Sequence, residues 1–272
     1  MGRVATELVF DLTYYPVIFL TICIHVYLYK KVFPLLSPKL SKSYSTLSVA
    51  DQKEWDSRMV SSLHATIVSA ICIYNLLYDE EVYNDPIWSD RPLIRINCAI
   101  LTGFVIADTV IMMIDSPLNL EAVMYYFHHG SAAYAYYYVF SYGVLSYFAN
   151  FRIMAEFSTV FVNFRWFFDK VNYDKTGTLF IVNGCVMTFT FISARVLSMP
   201  KYWFMVYTYI GSEDFALLGK IANVMILTCF VLDILNIKWS IRMLKGAHKV
   251  VLAKFDKNKN EVSESQKNGK QL

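Results

Sequence analysis

Long apolar runs are the feature that most constrains the fold of this chain. Seven runs approach the length of about 20 mostly apolar residues that a helix needs to cross a bilayer. They cover residues 15–33, 59–78, 96–114, 118–140, 145–167, 178–198 and 216–243. Charged residues make up only 17% of the 272 residues, whereas a soluble domain carries about 25%. The sequence therefore predicts an all-α, polytopic membrane helix bundle with six to seven transmembrane helices.

Most of the basic residues near the ends of these runs fall on one side of the seven-span arrangement. They are Lys30, Lys31, Lys39, Lys42, Lys53, Arg58, Arg165, Lys170, Lys175, Lys245, Lys249, Lys254, Lys257 and Lys259. Cytoplasmic loops carry an excess of Lys and Arg, so this side is expected to face the cytosol. The N-terminus then faces the lumen or the exterior, and the C-terminus faces the cytosol.

Three regions follow from this arrangement. Residues 1–48 hold the lumenal N-terminus, the first transmembrane helix and a cytosolic loop, and residues 49–246 form the main membrane domain. Residues 247–272 are polar, rich in charge and poor in aromatic residues, so we expect a disordered basic cytosolic tail. The formal net charge is only +3, and we expect no nucleic-acid partner.

Several ionisable residues lie inside the predicted spans, where such residues usually face the bundle interior and mark functional sites. They are Asp108, His128, His129, Arg152, Glu156, Arg195 and Asp233. At about 1.5 Å per helical residue, Asp108, His128, Glu156 and Asp233 share a level roughly 10–15 Å below the cytosolic surface. Arg195 is expected nearer the lumenal side. We therefore predict a shared hollow inside the membrane, lined by Asp108, Arg152, Asn163, Asp233 and Asn236.

Two pairs of these residues have helical spacing. Arg152 and Glu156 are four residues apart and are expected to share a helix face and to pair. Asp233 and Asn236 are three apart and could form hydrogen bonds between helices. Such pairs either line a binding site or only fix the packing of the helices, and the spacing leaves both interpretations open.

The two adjacent histidines, His128 and His129, point about 100° apart on a helix, so they cannot easily grip one metal ion together. We expect no metal and no bound cofactor. A neutral imidazole suits a general base or nucleophile, and Glu156 or Asp233 could orient the ring. His128, His129 and Glu156 are therefore candidate catalytic residues. The alternative is that the histidines pack helices or contact a lipid.

Six stretches of this sequence resemble one known family. They are "EWDSRMVSSLHA" (54–65), "DPIW" (85–88), "FHHGSAAYAYYYV" (127–139), "NFRIMAEFSTVFVNFRWFF" (150–168), "GTLFIVNGCVMT" (177–188) and "VLDILNIKW" (231–239). Together they resemble the TLC-domain family, the ceramide-synthase-like and lipid-sensing membrane proteins. The resemblance covers residues 49–246. It implies a multi-pass protein of the endoplasmic reticulum or a related membrane, with a role in lipid homeostasis.

In the ceramide synthases of this family, the paired histidines that His128 and His129 match serve acyl transfer from acyl-CoA. Those enzymes also carry an H-D-x-x-D element, but residues 155–159 of this chain read "AEFST" and lack its histidine and its second aspartate. The resemblance therefore favours the non-synthase members of the family and makes ceramide synthesis doubtful.

Two functional hypotheses remain from the sequence. The first is a protein that binds or handles lipids or acyl chains in an intramembrane cavity, with membrane lipids as its partners. The alternative is an acyltransferase that uses acyl-CoA as a co-substrate. The sequence determines neither the lipid nor the oligomeric state, and a homodimer is compatible with it.

Overall fold

The chain is helical throughout the core of the computed structural model, which describes residues 8–115 and 117–268, with side chains as far as His248. The main helices are α1 (Tyr15–Leu40), α2 (Val49–Tyr78), α3 (Pro92–Asp115), α4 (Leu120–Tyr142), α5 (Ser146–Ile153), α6 (Thr159–Lys170), α7 (Thr178–Tyr209) and α8 (Lys220–Asn268). A 3₁₀ turn, Met154–Ser158, joins α5 to α6, and π-helical turns occur within α1 and α7. The predicted all-α membrane bundle is confirmed.

Five helices within the described ranges have the length and apolar composition of a membrane span. They are Tyr15–Leu40, Val49–Tyr78, Pro92–Asp115, Thr178–Tyr209 and Lys220–His248. The predicted span at 118–140 is a continuous helix, α4, but the histidine pair and several tyrosines make it less apolar. The predicted span at 145–167 is divided into α5, the 3₁₀ turn and α6. The number of crossings and the orientation of the termini stay predictions.

The helices that follow α1 form a closed ring. Going around it, α2 contacts α3, α3 contacts α4, and α4 contacts α8. Helix α8 contacts α7, α7 contacts α6, and α6 returns to α2. Helix α1 packs against α3 on the outside of this ring. The ring therefore has an interior that the surrounding helices can close off from lipid.

Capping side chains set where the ring helices begin and end. Ser48 accepts a hydrogen bond from the Asp51 backbone N–H at the start of α2, and Asn119 accepts one from Ala122 at the start of α4. Helix α4 ends at Gly143, which has φ +65°, and a Cβ there would lie 2.7 Å from the Asp90 carboxyl group. Glycine is required at this position by both the conformation and the space.

Arg95 closes the end of the ring where α4 meets α5. Its buried guanidinium donates to Asp11 Oδ2 at 2.7 Å, to Asp90 Oδ2 at 2.8 Å and to the Phe140 carbonyl at 2.6 and 3.0 Å. Hydrogen bonds from Thr13, together with Arg95, lower the pKa of the Asp11 carboxyl group. One cation thus ties the N-terminal segment, the connection before α3 and the end of α4 together.

The predicted basic blocks meet at the opposite end of the ring, which we call the basic end. Lys53 Nζ lies 2.5 Å from Asp115 Oδ1, and Lys30 Nζ lies 3.3 Å from Asp115 Oδ2. Lys170 pairs with Asp51 at the same end. The tail block begins there as well, because Lys245 follows the part of α8 that lines this end. The arrangement agrees with the positive charge pattern from which the cytosolic side was predicted.

The segment for which we predicted a disordered tail is helical as far as Asn268. No proline follows Gly246 and the segment is rich in Lys, Glu and Gln, which are good helix formers. It also extends a helix that is already formed, so it bears no nucleation cost. The predicted boundaries of the three regions stay predictions, and residues 1–7 and 269–272 lie outside the described residues.

Gly103 allows α1 and α3 to approach each other closely. A Cβ at this position would lie 2.7 Å from the Ile18 carbonyl oxygen and 2.7 Å from Thr21 Cβ. Small residues at a membrane helix interface permit this kind of backbone approach. At Gly184 in α7, in contrast, an added Cβ would meet no atom within 4 Å.

We expect Gly103→Ala to lower the free energy of unfolding by about 1–3 kcal/mol, because the extra methyl group forces α1 away from α3. The measurement is thermal unfolding of the purified protein in detergent. Gly184→Ala is the matched control, since it makes the same chemical change in another membrane helix without a clash. Equal melting temperatures for the two variants would contradict the close approach of α1 and α3.

Candidate functional site

A cavity of about 770 Å³ occupies the interior of the ring. Its wall takes residues from α2, α3, α4, the α5–α6 segment, α7 and α8, together with Tyr29 of α1 and the turn before α4. It opens at the basic end, where Lys53, Glu54, Glu121 and Arg242 on its wall are about half exposed. Its volume falls within the range of about 300–1,000 Å³ that is typical of ligand sites.

The cavity extends deep into the ring. Glu121 lies at the mouth and Tyr136 lies at the inner end, and both are on α4. Their separation of 15 positions along the helix corresponds to a depth of about 22 Å. Beyond Tyr136 and Arg152 the cavity borders a narrow apolar crevice of about 30 Å³ between α4, α5 and α8.

The adjacent histidines have different surroundings, as expected from their 100° separation. His129 is 8% exposed, and its Nδ1 lies 2.9 Å from Thr109 Oγ1. Its Nε2 lies 3.8 Å from Asp108 Oδ2, and Asp108 also accepts a hydrogen bond from Ser57 at 3.3 Å. His128 packs against the Trp239 ring of α8. Both histidines are on the cavity wall.

The carboxylate beside His129 is that of Asp108, rather than the Glu156 or Asp233 carboxylate that we predicted. Asp108 is on α3, which is joined to α4 by a short turn and packs along it, so the two side chains meet. Glu156 also lines the cavity, and it accepts a hydrogen bond from Thr159 Oγ1 at 3.1 Å.

Arg152 does not pair with Glu156 as predicted. Its guanidinium makes two hydrogen bonds to the Asp233 carboxylate, at 2.5 and 3.0 Å, and stacks 3.8 Å from the centre of the Tyr202 ring. The expected i,i+4 pair fails because the Met154–Ser158 segment is a 3₁₀ turn. With about 3.0 residues per turn, residues four apart no longer share a face.

Asp233 lies behind the cavity wall rather than on it. Besides Arg152 it accepts a hydrogen bond from Trp203 Nε1 at 2.7 Å. Asn236 accepts one from Arg195 at 3.0 Å, so both residues form hydrogen bonds between helices, as predicted. The other predicted lining residues, Asp108, Arg152, Asn163 and Asn236, are on the wall together with His128, His129 and Glu156. The roles predicted for these residues stay predictions, while their convergence on one cavity is a finding.

Arg195 is a cavity residue that the sequence assigned to the wrong depth. It lies in the π-helical turn Ser193–Leu197 and donates to the Ala155 carbonyl and to Asn236 Oδ1, both at 3.0 Å. The predicted span ended at residue 198, but α7 continues to Tyr209, so Arg195 lies within the helix and away from its end. A π-helical turn often marks a functional position, but it leaves no simple sequence pattern.

Asn163 joins the cavity wall to α2. Its Oδ1 accepts from Arg58 Nη1 at 3.1 Å, and its Nδ2 donates to Ser62 Oγ at 3.0 Å. Arg58 in turn stacks over Trp166 and pairs with Glu54. In the part of the chain that the structure describes, no group of three or more His, Cys, Asp or Glu residues is arranged to hold a metal ion.

A family model of the TLC domain matches residues 54–245, which is well over half of the chain. This chain belongs to the TLC-domain family. TLC domain-containing protein 4-B of Danio rerio is 40% identical over 225 residues, which are 82% of this chain and 85% of the relative. TLC domain-containing protein 4 of Homo sapiens is 36% identical over 235 residues, which are 84% and 89% of the two chains. No solved structure matches the chain.

We expect Asp233→Ala to reduce the free energy of unfolding by about 3–5 kcal/mol, because it leaves the Arg152 charge buried without its partner. The double variant Arg152→Met, Asp233→Ala should recover much of this loss. Asp108→Asn is the control, since among the described residues no Lys or Arg forms an ion pair with that carboxylate and His129 lies 3.8 Å from it, so this change should alter stability by less than about 1 kcal/mol. Thermal unfolding in detergent measures the stabilities of the three variants. An Asp233→Ala variant as stable as Asp108→Asn would contradict the buried pair.

Proposed function

We propose that this TLC-domain protein binds an amphipathic lipid in the cavity of the helix ring and acts in lipid homeostasis. The single observation that carries the proposal is the cavity itself, a deep hollow of about 770 Å³ in a ring whose helices α2, α3, α7 and α8 have the length and composition of membrane spans. A hollow in this position is in direct reach of bilayer lipids.

The two sides of the cavity have opposite character. Apart from Asp108 and Asp115, the residues that helix α3 contributes to the wall are apolar: Leu101, Phe104, Val105, Ile111 and Met112. The facing helices contribute hydrogen-bonding groups, among them Ser61, Glu156, Thr159, Asn163 and Arg195. A ligand that satisfies both sides must carry an apolar chain and polar atoms, which is the definition of an amphipathic lipid. The apolar crevice beyond Tyr136 suits the end of the chain.

The charges around the cavity indicate the kind of headgroup. Six carboxylates and five cationic side chains are on the wall. Three residues off the wall form ion pairs with these wall residues: the carboxylate Asp233 and the cations Lys30 and Lys170. The charges are therefore balanced at seven of each sign among the described residues. A neutral or zwitterionic headgroup fits this balance better than an anionic one.

The positive charge at the basic end indicates where in the membrane the lipid headgroup would lie. Because the cavity opens at the basic end, the positive-inside rule places its mouth on the cytosolic side. The endoplasmic reticulum is the membrane that the family resemblance favours. A lipid headgroup at this mouth would lie in the cytosolic leaflet, with its chain directed into the ring.

We expect Ala194→Trp to reduce the amount of lipid that copurifies with the protein at least several-fold, because the indole fills the cavity that Ala194 lines. Native mass spectrometry from mild detergent measures bound lipid directly. Leu197→Trp is the matched control, since Leu197 belongs to the same π-helical turn but is 67% exposed on the outer surface. Equal amounts of copurified lipid in the two variants would contradict lipid binding inside the ring.

Acyl transfer from acyl-CoA is the second candidate function, and the His129 environment favours it. An imidazole hydrogen-bonded on one side by Thr109 and placed near the Asp108 carboxylate is suited to accept and release a proton. Acyl transfer ranks second to lipid binding because Lys53, Arg58 and Arg242 at the mouth each pair with a carboxylate. The phosphates of CoA would have to displace these pairs.

If the protein is an acyltransferase, membranes that contain it should release free CoA from radiolabelled palmitoyl-CoA faster than control membranes. His129→Ala should then reduce this rate by at least about 100-fold, the usual contribution of a positioned base. Leu197→Trp should leave it unchanged. An unchanged rate in His129→Ala, with normal expression and folding, would rule out this chemistry at the histidine.

A further inference from the structure

Arg195 differs from the other described arginines in the charge of its partners. Each of the others has a carboxylate oxygen within 4 Å: Arg58, Arg91, Arg95, Arg152, Arg165 and Arg242. Arg195 forms no ion pair with any described residue, although it is only 6% exposed and lies on the cavity wall. Buried charges in proteins are normally paired, because an unpaired charge away from water is costly. This cation therefore indicates a ligand that carries a negative charge.

The groups that hold Arg195 in place are all neutral. Its Nε donates to Ser158 Oγ at 3.3 Å, its Nη1 to Asn236 Oδ1 at 3.0 Å and its Nη2 to the Ala155 carbonyl at 3.0 Å. The Phe191 ring centre lies 4.7 Å from the guanidinium carbon. These contacts fix the guanidinium but do not neutralise it. Nη1 makes one hydrogen bond within the described residues, so its second N–H is available to a ligand.

A carboxylate without an ionic partner lies next to Arg195 on the same wall. Glu156 Oε2 accepts a hydrogen bond from Thr159 Oγ1 at 3.1 Å, and Glu156 forms no ion pair within the described ranges. The Thr159 hydroxyl also accepts a long hydrogen bond, of 3.5 Å, from Arg195 Nη2. The cation and the carboxylate thus contact one hydroxyl group and are close neighbours, but they do not pair with each other.

We infer that the ligand is a zwitterionic phospholipid whose phosphate binds Arg195 and whose ammonium group lies beside Glu156. This inference rests on the proposed lipid binding and names the class of lipid. In such a headgroup the two charges are close together, so one ligand supplies a partner to both side chains. A fatty acid or a phosphatidic acid would pair with Arg195 but would place a second negative charge beside Glu156. A diacylglycerol would pair with neither.

This headgroup site lies just inside the mouth of the cavity. Asn236, which accepts from Arg195, is six positions along α8 from Arg242 at the mouth, so the two levels differ by about 9 Å. Arg242 itself pairs with Glu121 and is less suited to bind phosphate. The cavity continues from this level to Tyr136, which leaves room for the acyl chain in the direction proposed above.

Lipid titration of the purified protein in mild detergent tests the phosphate contact. The probes are dioleoyl-phosphatidylcholine and the diacylglycerol with the same two chains, and native mass spectrometry gives their dissociation constants. The wild type should bind the phosphatidylcholine at least tenfold more tightly than the diacylglycerol. Arg195→Gln should weaken phosphatidylcholine binding at least tenfold, because it removes a charged hydrogen-bond donor, and should leave diacylglycerol binding unchanged. Arg242→Gln is the matched control and should have little effect on either lipid.

The outcomes of this titration separate the headgroup assignment from lipid binding as such. A wild-type protein that binds neither lipid would overturn the proposed function and the headgroup assignment with it. Equal binding of both lipids by the wild type would leave lipid binding intact and overturn the assignment. A larger loss of phosphatidylcholine binding in Arg242→Gln than in Arg195→Gln would place the phosphate at the mouth, and would also overturn it.

Glu156→Gln tests the ammonium contact and does not depend on the folding of the Arg195 variant. The probe is dioleoyl-phosphatidic acid, which carries the phosphate without the ammonium group. The wild type should bind it at least tenfold more weakly than the phosphatidylcholine, and Glu156→Gln should remove most of this difference. Glu54→Gln is the matched control, since Glu54 is on the wall but already pairs with Arg58. Tighter binding of phosphatidic acid by the wild type, or an unchanged difference in Glu156→Gln, would overturn the zwitterionic assignment.

Discussion

The structure depends on one constraint: a charged or polar side chain inside a ring of membrane helices must find its partners within the protein. Arg152 is held by the Asp233 carboxylate and by the face of Tyr202. Arg195 is held by Asn236 and by a backbone carbonyl of the 3₁₀ turn. Each of these contacts joins two different helices, so the groups that line the cavity also hold the ring closed.

Local departures from the α-helix are what make these contacts possible. The 3₁₀ turn Met154–Ser158 turns Glu156 and Arg152 to different faces, and it leaves the Ala155 carbonyl available to Arg195. The π-helical turn around Arg195 directs that guanidinium into the ring from α7. Two irregular segments therefore face each other across the cavity. A regular helix at either one would have paired its backbone groups internally and left a buried cation with fewer partners.

The sequence was sufficient to predict most of the helices and the convergence of polar residues, because both follow from apolar run length and helical rise. It could not predict the partners. The Arg152–Glu156 pair assumed α-helical geometry that the 3₁₀ turn does not have, and the depth of Arg195 assumed that α7 ends at residue 198. The carboxylate beside His129 was missed for a different reason, since Asp108 reaches it only through the packing of α3 on α4. Contacts between helices are not encoded in the spacing along one helix.

The central claim is that a lipid occupies the interior of the ring, and photo-crosslinking tests it most directly. A phosphatidylcholine with a photoreactive group in its acyl chain would be incorporated into membranes that contain the protein, and the labelled residues mapped by mass spectrometry. The account predicts labelling of interior residues such as Phe104 and Val105 on α3 and Ala132 on α4. Labelling confined to outward residues such as Phe189 and Phe204 would show that lipid only surrounds the protein, and would contradict the account.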